Sequence, residues 1–159
     1  MADVALAAGA SKPLLYHYYS SKSELYLAAV GAAAEELRAA STPPPHLPPA
    51  VALHQALVAH VDWIDLNADA YRAVLQGGHS ADADVHAIIE ESRADVVARL
   101  ASGFGLRRVS PAQRTVMRGW AGFLEGACLN WLERRDLSKP HLVRLLETSV
   151  AAIAPLAGV

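Results

Sequence analysis

The sequence predicts an all-α protein. Hydrophobic residues make up 53% of the 159-residue chain, Ala and Leu dominate, and apolar positions recur at helical spacing between breaks of Gly, Pro or Ser. No segment alternates as a half-buried strand would. The single Cys128 excludes an internal disulfide framework and favours a reducing cytoplasm. Because neither a signal peptide nor a run of about 18 apolar residues is present, we expect a cytoplasmic protein that does not enter a membrane.

The first 25 residues predict two short helices joined by a tight turn. Small residues from Val4 to Ala8 suit a first helix, and Gly9 supplies the positive φ that such a turn requires. Ser11 can cap the helix that follows, and Pro13 fits its first turn, where the missing N–H costs nothing. A pair of helices joined in this way places the second helix in the major groove of DNA.

This segment resembles the tetracycline-repressor (TetR) family of one-component bacterial regulators. The family pattern is matched at Val4-Ala5, Ala8-Gly9, Ser11-Lys12, Leu15-Tyr16, Lys22 and Leu25, and Tyr19 stands where Phe is usual. The resemblance implies a dimer that binds operator DNA and a C-terminal domain that holds a small molecule. Family members carry one more helix before this motif. We therefore expect an incomplete helix-turn-helix and weak DNA affinity in this chain.

Candidate DNA contacts follow from the side chains of the second helix. Lys12 and His17 can donate to guanine, whereas Pro13 and Leu14 offer apolar contact to a thymine methyl group. Tyr16, Tyr18 and Lys22 suit phosphate oxygens. Leu15 and Tyr19 are expected to face the core. With the capping Ser11, the predicted DNA-binding set is Ser11, Lys12, Pro13, Leu14, Tyr16, His17, Tyr18 and Lys22. Tyr18 can alternatively be a half-buried packing residue.

Charge does not add to the case for DNA. The formal net charge is −2 at pH 7, which provides no general attraction to phosphates. The DNA-binding hypothesis therefore depends on the motif.

A proline-rich segment divides the chain. Ser20-Ser21 can cap a helix that continues to about Ala40, and the sequence TPPPHLPP at 42–49 cannot be helical. We interpret it as the boundary between a partial DNA-binding domain with its connecting helix, 1–41, and a ligand-binding and dimerisation domain, 50–159. A plain surface loop is the alternative.

The second domain is predicted to contain five helices, each bounded by Gly, Pro, Ser, Asn or Asp. The first runs from Ala50 to about Leu66, and a short one around Tyr71 to Leu75 ends at Gly77-Gly78. The others run from Asp82 to Gly103, from Ser110-Pro111 to about Arg135, and from Ser138 to about Leu156.

The last two helices predict a dimer interface. Three glycines lie on one face of the penultimate helix, and each costs up to about 1 kcal/mol relative to Ala. A close backbone approach would offset that cost, and the apolar final helix would complete a four-helix bundle across a two-fold axis. The predicted interface residues are Gly119, Gly122, Gly126, Leu142, Leu145, Leu146, Val150 and Ile153. A central helix of a monomeric bundle is the alternative.

The pocket implied by the family resemblance has only modest support from the residues. Polar groups among aromatic ones would suit a partly apolar ligand, and the candidates are His60, Trp63, Tyr71, Arg93, Trp120, Phe123 and Glu125. His60 can instead be a hydrogen-bonded core residue and the tryptophans core. Glu125 can form an ion pair at a dimer interface or lie at a solvated edge.

Enzyme chemistry is not indicated. The seven histidines form no HxxxH or HExxH pair, Cys128 lacks an electropositive neighbour, and no Gly-rich loop follows a strand. We therefore expect no metal and no cofactor. The function predicted is a dimeric transcriptional regulator, most simply a repressor, released from DNA by a small molecule. A dimeric small-molecule-binding module that no longer binds DNA is the alternative, followed by a helical enzyme.

Overall fold

A computed structural model describes Gly9, residues 11–77 and residues 83–158, apart from the side chain of Lys12. In these ranges the chain is helical and contains no strand, which confirms the predicted all-α class. The helix expected before Gly9 lies outside the described residues, and so do Gly78 and Asp82. The helices are α1 (Lys12–Tyr18), α2 (Lys22–Ala40), α3 (Pro49–Leu66), α4 (Ala68–Gly77), α5 (Ala83–Gly103), α6 (Pro111–Arg134) and α7 (Lys139–Ile153), followed by a 3₁₀ helix, Pro155–Ala157.

The turn and caps around α1 form as their residue types predict. Gly9 has a φ of 61°, a left-handed conformation that glycine adopts without steric cost. The Ser11 hydroxyl accepts from the backbone N–H of Leu14 at 3.3 Å, and the Ser21 hydroxyl accepts from that of Glu24 at 3.1 Å. These bonds satisfy N–H groups that a helix start leaves without partners.

The main core lies between α3, α5, α6 and α7. Helix α6 crosses this core, and one of its faces is buried through Met117, Ala121, Leu124, Cys128 and Trp131. A smaller cluster joins α2 to α5 through Val30, Val85 and Ile89. Helix α2 also packs against α3, so it connects α1 to the body of the protein.

The structure corrects part of the predicted dimer interface. Leu142, Leu146 and Val150 are 1%, 0% and 6% exposed in the single chain, since they pack into its own core. They therefore present no surface to a second copy. On the same helix Leu145 is 43% exposed. A helix that covers its own core shows the apolar periodicity that a helix facing a partner also shows, which is why the sequence pattern did not separate these residues.

Among residues 11–77 and 83–158, none of the helices combines the length and the apolar character that crossing a bilayer requires.

Candidate functional site

The outer face of α1 presents most of the predicted DNA contacts to solvent. Leu14 is 47% exposed, Tyr16 49% and Tyr18 68%, and Ser11, Pro13, His17 and Lys22 are also exposed. The exposure of Tyr18 favours a contact residue over a half-buried packing residue. Its ring meets that of His17 edge to face at 5.2 Å. Leu15 and Tyr19 are partly buried on the opposite side, as expected for residues that hold the helix in place.

The described part of the α1–α2 segment carries little free positive charge. Arg38 donates from Nε to Glu35 at 2.7 Å, so its charge is already paired. Lys22 is exposed at the start of α2. The Lys12 side chain lies outside the described residues.

Two cavities adjoin in the C-terminal body. The first, of about 120 Å³, lies between α2, α3, α4, α5 and α6. The second, of about 510 Å³, lies between α3, α5, α6 and the segment after α2. Both have mainly apolar walls. The residues that line both cavities are Ser41, His60, Val96, Arg99 and Leu124.

Most of the predicted pocket residues line these cavities. The first cavity is lined by His60, Trp63, Tyr71, Arg93 and Glu125, and the second by His60 and Trp120. The structure therefore brings together residues that come from four different helices.

Phe123 is the exception among the predicted pocket residues. It is 44% exposed and lines neither cavity. The sequence placed an aromatic residue of α6 in the pocket, but Phe123 lies next to the outward Gly122 rather than on the buried face.

Arg93 and Glu125 form an ion pair at the wall of the first cavity. Arg93 Nε and Nη2 donate to Glu125 at 2.8 and 2.6 Å, and Nη1 donates to Glu90 at 2.7 Å. The hydrogen bonds to Glu125 are the main reason that the pKa of Arg93 is raised. Glu125 is thus mostly buried and paired within the chain rather than at a solvated edge. Arg118 donates to Glu90 at 2.8 Å.

His60 carries a buried nitrogen without a partner. Among the described residues Nε2 forms no hydrogen bond, so this nitrogen lacks the partner that a hydrogen-bonded core histidine would give it. Burial is the main reason that the pKa of His60 is lowered to about 4, which makes the ring neutral at pH 7. Its ring meets Tyr71 edge to face at 6.4 Å, and burial raises the pKa of Tyr71 as well. The His60 and Tyr71 rings therefore contribute polar but uncharged groups to the cavity wall at pH 7.

Arg99 is a lining residue that sequence reasoning missed. Its Nη1 donates to the Ser41 carbonyl at 2.9 Å and to the Ser41 hydroxyl at 3.1 Å. Its Nη2 donates to the Arg38 carbonyl at 3.1 Å. The available signal was its position three residues after the inward Val96, on one face of α5.

The described residues hold no group of three His, Cys, Asp or Glu side chains placed to bind a metal ion. Burial raises the pKa of the Cys128 thiol to about 12, which leaves this cysteine in its unreactive form at neutral pH.

Comparison with known proteins agrees with this architecture. A family model for the tetracyclin repressor-like C-terminal domain matches residues 49–153, and a model for bacterial regulatory proteins of the tetR family matches residues 1–29. The crystal structure of a tetR-family transcriptional regulator from Streptomyces coelicolor superposes with a TM-score of 0.88 at 26% identity, covering 98% of this chain and 71% of that one. No curated protein matches. The chain belongs to the TetR family of bacterial regulatory proteins, which are DNA-binding regulators and not enzymes.

Proposed function

We propose that this regulator is a repressor that binds operator DNA as a homodimer and is released when a small molecule fills the two cavities. One observation carries the proposal. Helix α2 begins four residues after the end of α1 and its C-terminal half, from Val30 to Ser41, forms a wall of the first cavity. A ligand that moves this wall therefore moves the helix on which α1 is mounted.

The proposed DNA surface is the exposed face of α1 with the start of α2. Leu14, Pro13 and His17 are assigned to base edges, and Tyr16, Tyr18 and Lys22 to phosphates. Ser11 holds the helix start through its cap. Lys12 is assigned, from its place in the motif, to donate to guanine.

Dimerisation is proposed through the outer faces of α6 and α7. An added Cβ at Gly119, Gly122 or Gly126 would meet no atom within 4 Å in the described residues, so nothing there explains three glycines in one helix. Phe123 is 44% exposed beside them, and Leu145 on α7 is 43% exposed. A second copy would cover this apolar face and bring the backbones close. Ile153, which is partly buried, lies at the end of this surface.

The two parts of the chain are assigned different functions. We propose that residues 1–41 bind DNA and connect, that 50–159 bind the ligand and dimerise, and that the protein acts in the cytoplasm, where its operator is. The support is the non-helical segment after α2 and the two separate matched regions.

Titration of DNA from upstream of the protein's own gene, followed by fluorescence anisotropy at low and moderate salt, tests the DNA-binding step. Lys22→Gln is expected to weaken binding to all sequences and to lower the salt dependence by about one phosphate contact per subunit. Arg107→Gln, an exposed charge change in the segment between α5 and α6, is the matched control. Absence of binding at low salt would contradict the proposal.

A second candidate function is a dimeric small-molecule-binding protein without DNA affinity. The pairing of Arg38 with Glu35 favours it, since it leaves little free positive charge on the described part of this segment. A chain that dimerises and binds ligand but ignores DNA would support this candidate.

A further inference from the structure

Arg99 lies where the two cavities meet the end of α2. It projects from α5, lines both cavities, and donates to the carbonyls of Arg38 and Ser41. These carbonyls belong to the last turn of α2 and to its C-cap residue Ser41, where a helix leaves acceptors without intrahelical partners. Arg99 therefore holds the C-terminal end of α2 against the ligand cavities.

The charge of Arg99 is not matched by an ion pair. The other two arginines of the first cavity donate to carboxylates, Arg93 to Glu125 and Arg38 to Glu35. Among the described residues, Arg99 donates to two carbonyls and a hydroxyl. Burial is the main reason that its pKa is lowered, partly offset by the charge of Asp95 and reinforced by that of Arg38. An anion placed beside Arg99 would be stabilised in this setting.

The walls around Arg99 are apolar. Val96 and Leu124 border both cavities, and the larger cavity continues past Leu57 and Phe104 to Trp120. Its volume of about 510 Å³ is in the range that holds a small organic ligand. Within the described residues, the site thus combines a cation that forms no ion pair, with the charge of Asp95 nearby, and a long hydrocarbon surface.

We propose that the ligand is an elongated apolar monocarboxylate, with its carboxylate on the Arg99 guanidinium and its hydrocarbon part in the larger cavity. This inference rests on the proposed ligand-binding function and names the chemical class of the ligand. A carboxylate matches the planar guanidinium with two parallel hydrogen bonds. The neutral His60 next to it adds no opposing or competing charge at pH 7.

The same contact explains how such a ligand would reach the DNA-binding helix. A carboxylate on Arg99 competes with the Arg38 and Ser41 carbonyls for the same N–H groups. When these bonds weaken, the end of α2 is less firmly held to α5, and α1 at its other end changes position. The ligand shifts the equilibrium because it binds Arg99 better when α2 is released.

The test compares three probes that share a ten-carbon chain and differ in head group: decanoate, decanol and decylamine. Trp63 and Trp120 line the cavities, so binding to the full chain can be followed by intrinsic tryptophan fluorescence below the micellar concentration. Decanoate is expected to bind about tenfold more tightly than decanol, since its hydrogen bond to Arg99 is charge-assisted, and decylamine most weakly. Equal affinity for decanoate and decanol, or no binding of decanoate, would overturn the proposal.

Variants of Arg99 separate a binding role from a purely structural one. Arg99→Met is expected to weaken decanoate about tenfold and decanol less than about twofold, and Arg99→Lys to lie between for decanoate. Arg107→Met, an exposed site that lines neither cavity, should change neither. If Arg99→Met does not fold, Arg99→Lys carries the comparison. A loss that is equal for decanoate and decanol would contradict the assignment.

The two proposals fail separately. If DNA binds but decanoate does not, the ligand class is wrong and the regulator stands. If decanoate binds through Arg99 but DNA is ignored, the ligand site stands and the DNA-binding proposal falls.

Discussion

At the scale of single residues, burial decides the charge of the groups around the cavities. His60 is partly buried, and its buried Nε2 has no hydrogen-bond partner among the described residues. A charged imidazolium there would lose its hydration and also face the positive charge of Arg99. The histidine is therefore neutral in the folded protein at pH values where it is protonated in the unfolded chain.

This difference predicts that stability falls with acidification. The pKa of a histidine exposed to solvent, as in the unfolded chain, is 6.5, and that of His60 in the folded protein is about 4. Between these values the unfolded chain binds the extra proton, so the free energy of unfolding falls as the pH drops from 6.5 to 4. The wild type should lose about 3 kcal/mol more than His60→Phe between pH 7 and pH 4, as measured by urea unfolding. Parallel pH curves for the two proteins would show that His60 does not titrate in this way.

The ion pair of Arg93 predicts a second residue effect. Glu125→Gln removes the carboxylate that Arg93 contacts with two nitrogens, and both side chains are mostly buried, at 22% and 19% exposed. Because Glu90 still contacts Arg93, we expect a loss of about 1 to 2 kcal/mol in the free energy of unfolding, less than for a fully isolated buried charge. Glu91→Gln on the exposed side of α5 is the control and should change stability by less than about 0.5 kcal/mol. Equal effects would indicate that the pair contributes nothing.

At the scale of elements, the helix boundaries follow from local chemistry. The α6 helix begins with a reciprocal cap, in which the Ser110 hydroxyl accepts from Gln113 N–H at 3.2 Å and the Gln113 side chain accepts from Ser110 N–H at 2.8 Å. Both residues lie within one turn, so the sequence SPAQ suffices to indicate the start of this helix. The start of α7 also has a Ser followed closely by a Pro, in Ser138-Lys139-Pro140, but no side-chain cap bond at Ser138.

This contrast gives a matched pair of variants. Ser110→Ala should lower the free energy of unfolding by about 1 kcal/mol, because a backbone N–H loses its acceptor. Ser138→Ala should cost less, since the Ser138 hydroxyl contacts His141 Nδ1 at 3.0 Å and not a free backbone N–H. Thermal or urea unfolding measures both. A larger effect at Ser138 would show that the caps do not explain the helix starts.

At the scale of the whole molecule, the outer face of α6 and α7 is apolar and has no partner among the described residues. The outer side of α6 is lined by small residues with Phe123 beside them, and α7 presents Leu145. The buried sides of these two helices complete the protein's own core. Their outer sides are therefore the surface on which the proposed dimer depends.

Leu145→Asp is expected to convert the proposed dimer into a folded monomer. A charged side chain in the centre of an apolar contact would have to be buried without a partner, which costs several kcal/mol. Leu145 is already exposed in the single chain, so the fold itself should remain. Size-exclusion chromatography with light scattering gives the mass. Leu66→Asp, at an 85% exposed leucine at the end of α3, should leave the mass unchanged, and a wild-type monomer would contradict the dimer proposal.

The sequence by itself determined the class of fold, the helices of the described ranges with most of their bounds, and the family motif at the N-terminus. These properties depend on residues a few positions apart, such as Ser11 capping α1 or the prolines that end α2. Composition and local hydrogen bonding are enough to specify them.

Only the tertiary structure decided which apolar faces are buried and which polar groups meet. Leu142 and Leu145 have the same chemistry three positions apart, and the packing of α7 places one in the core and leaves the other in solvent. Arg93 and Glu125 are 32 positions apart, and Arg99 and Ser41 are 58 apart. A local sequence pattern does not show that residues so far apart along the chain are in contact. These contacts are set by how the helices pack, and packing depends on the fit of all the buried side chains at once.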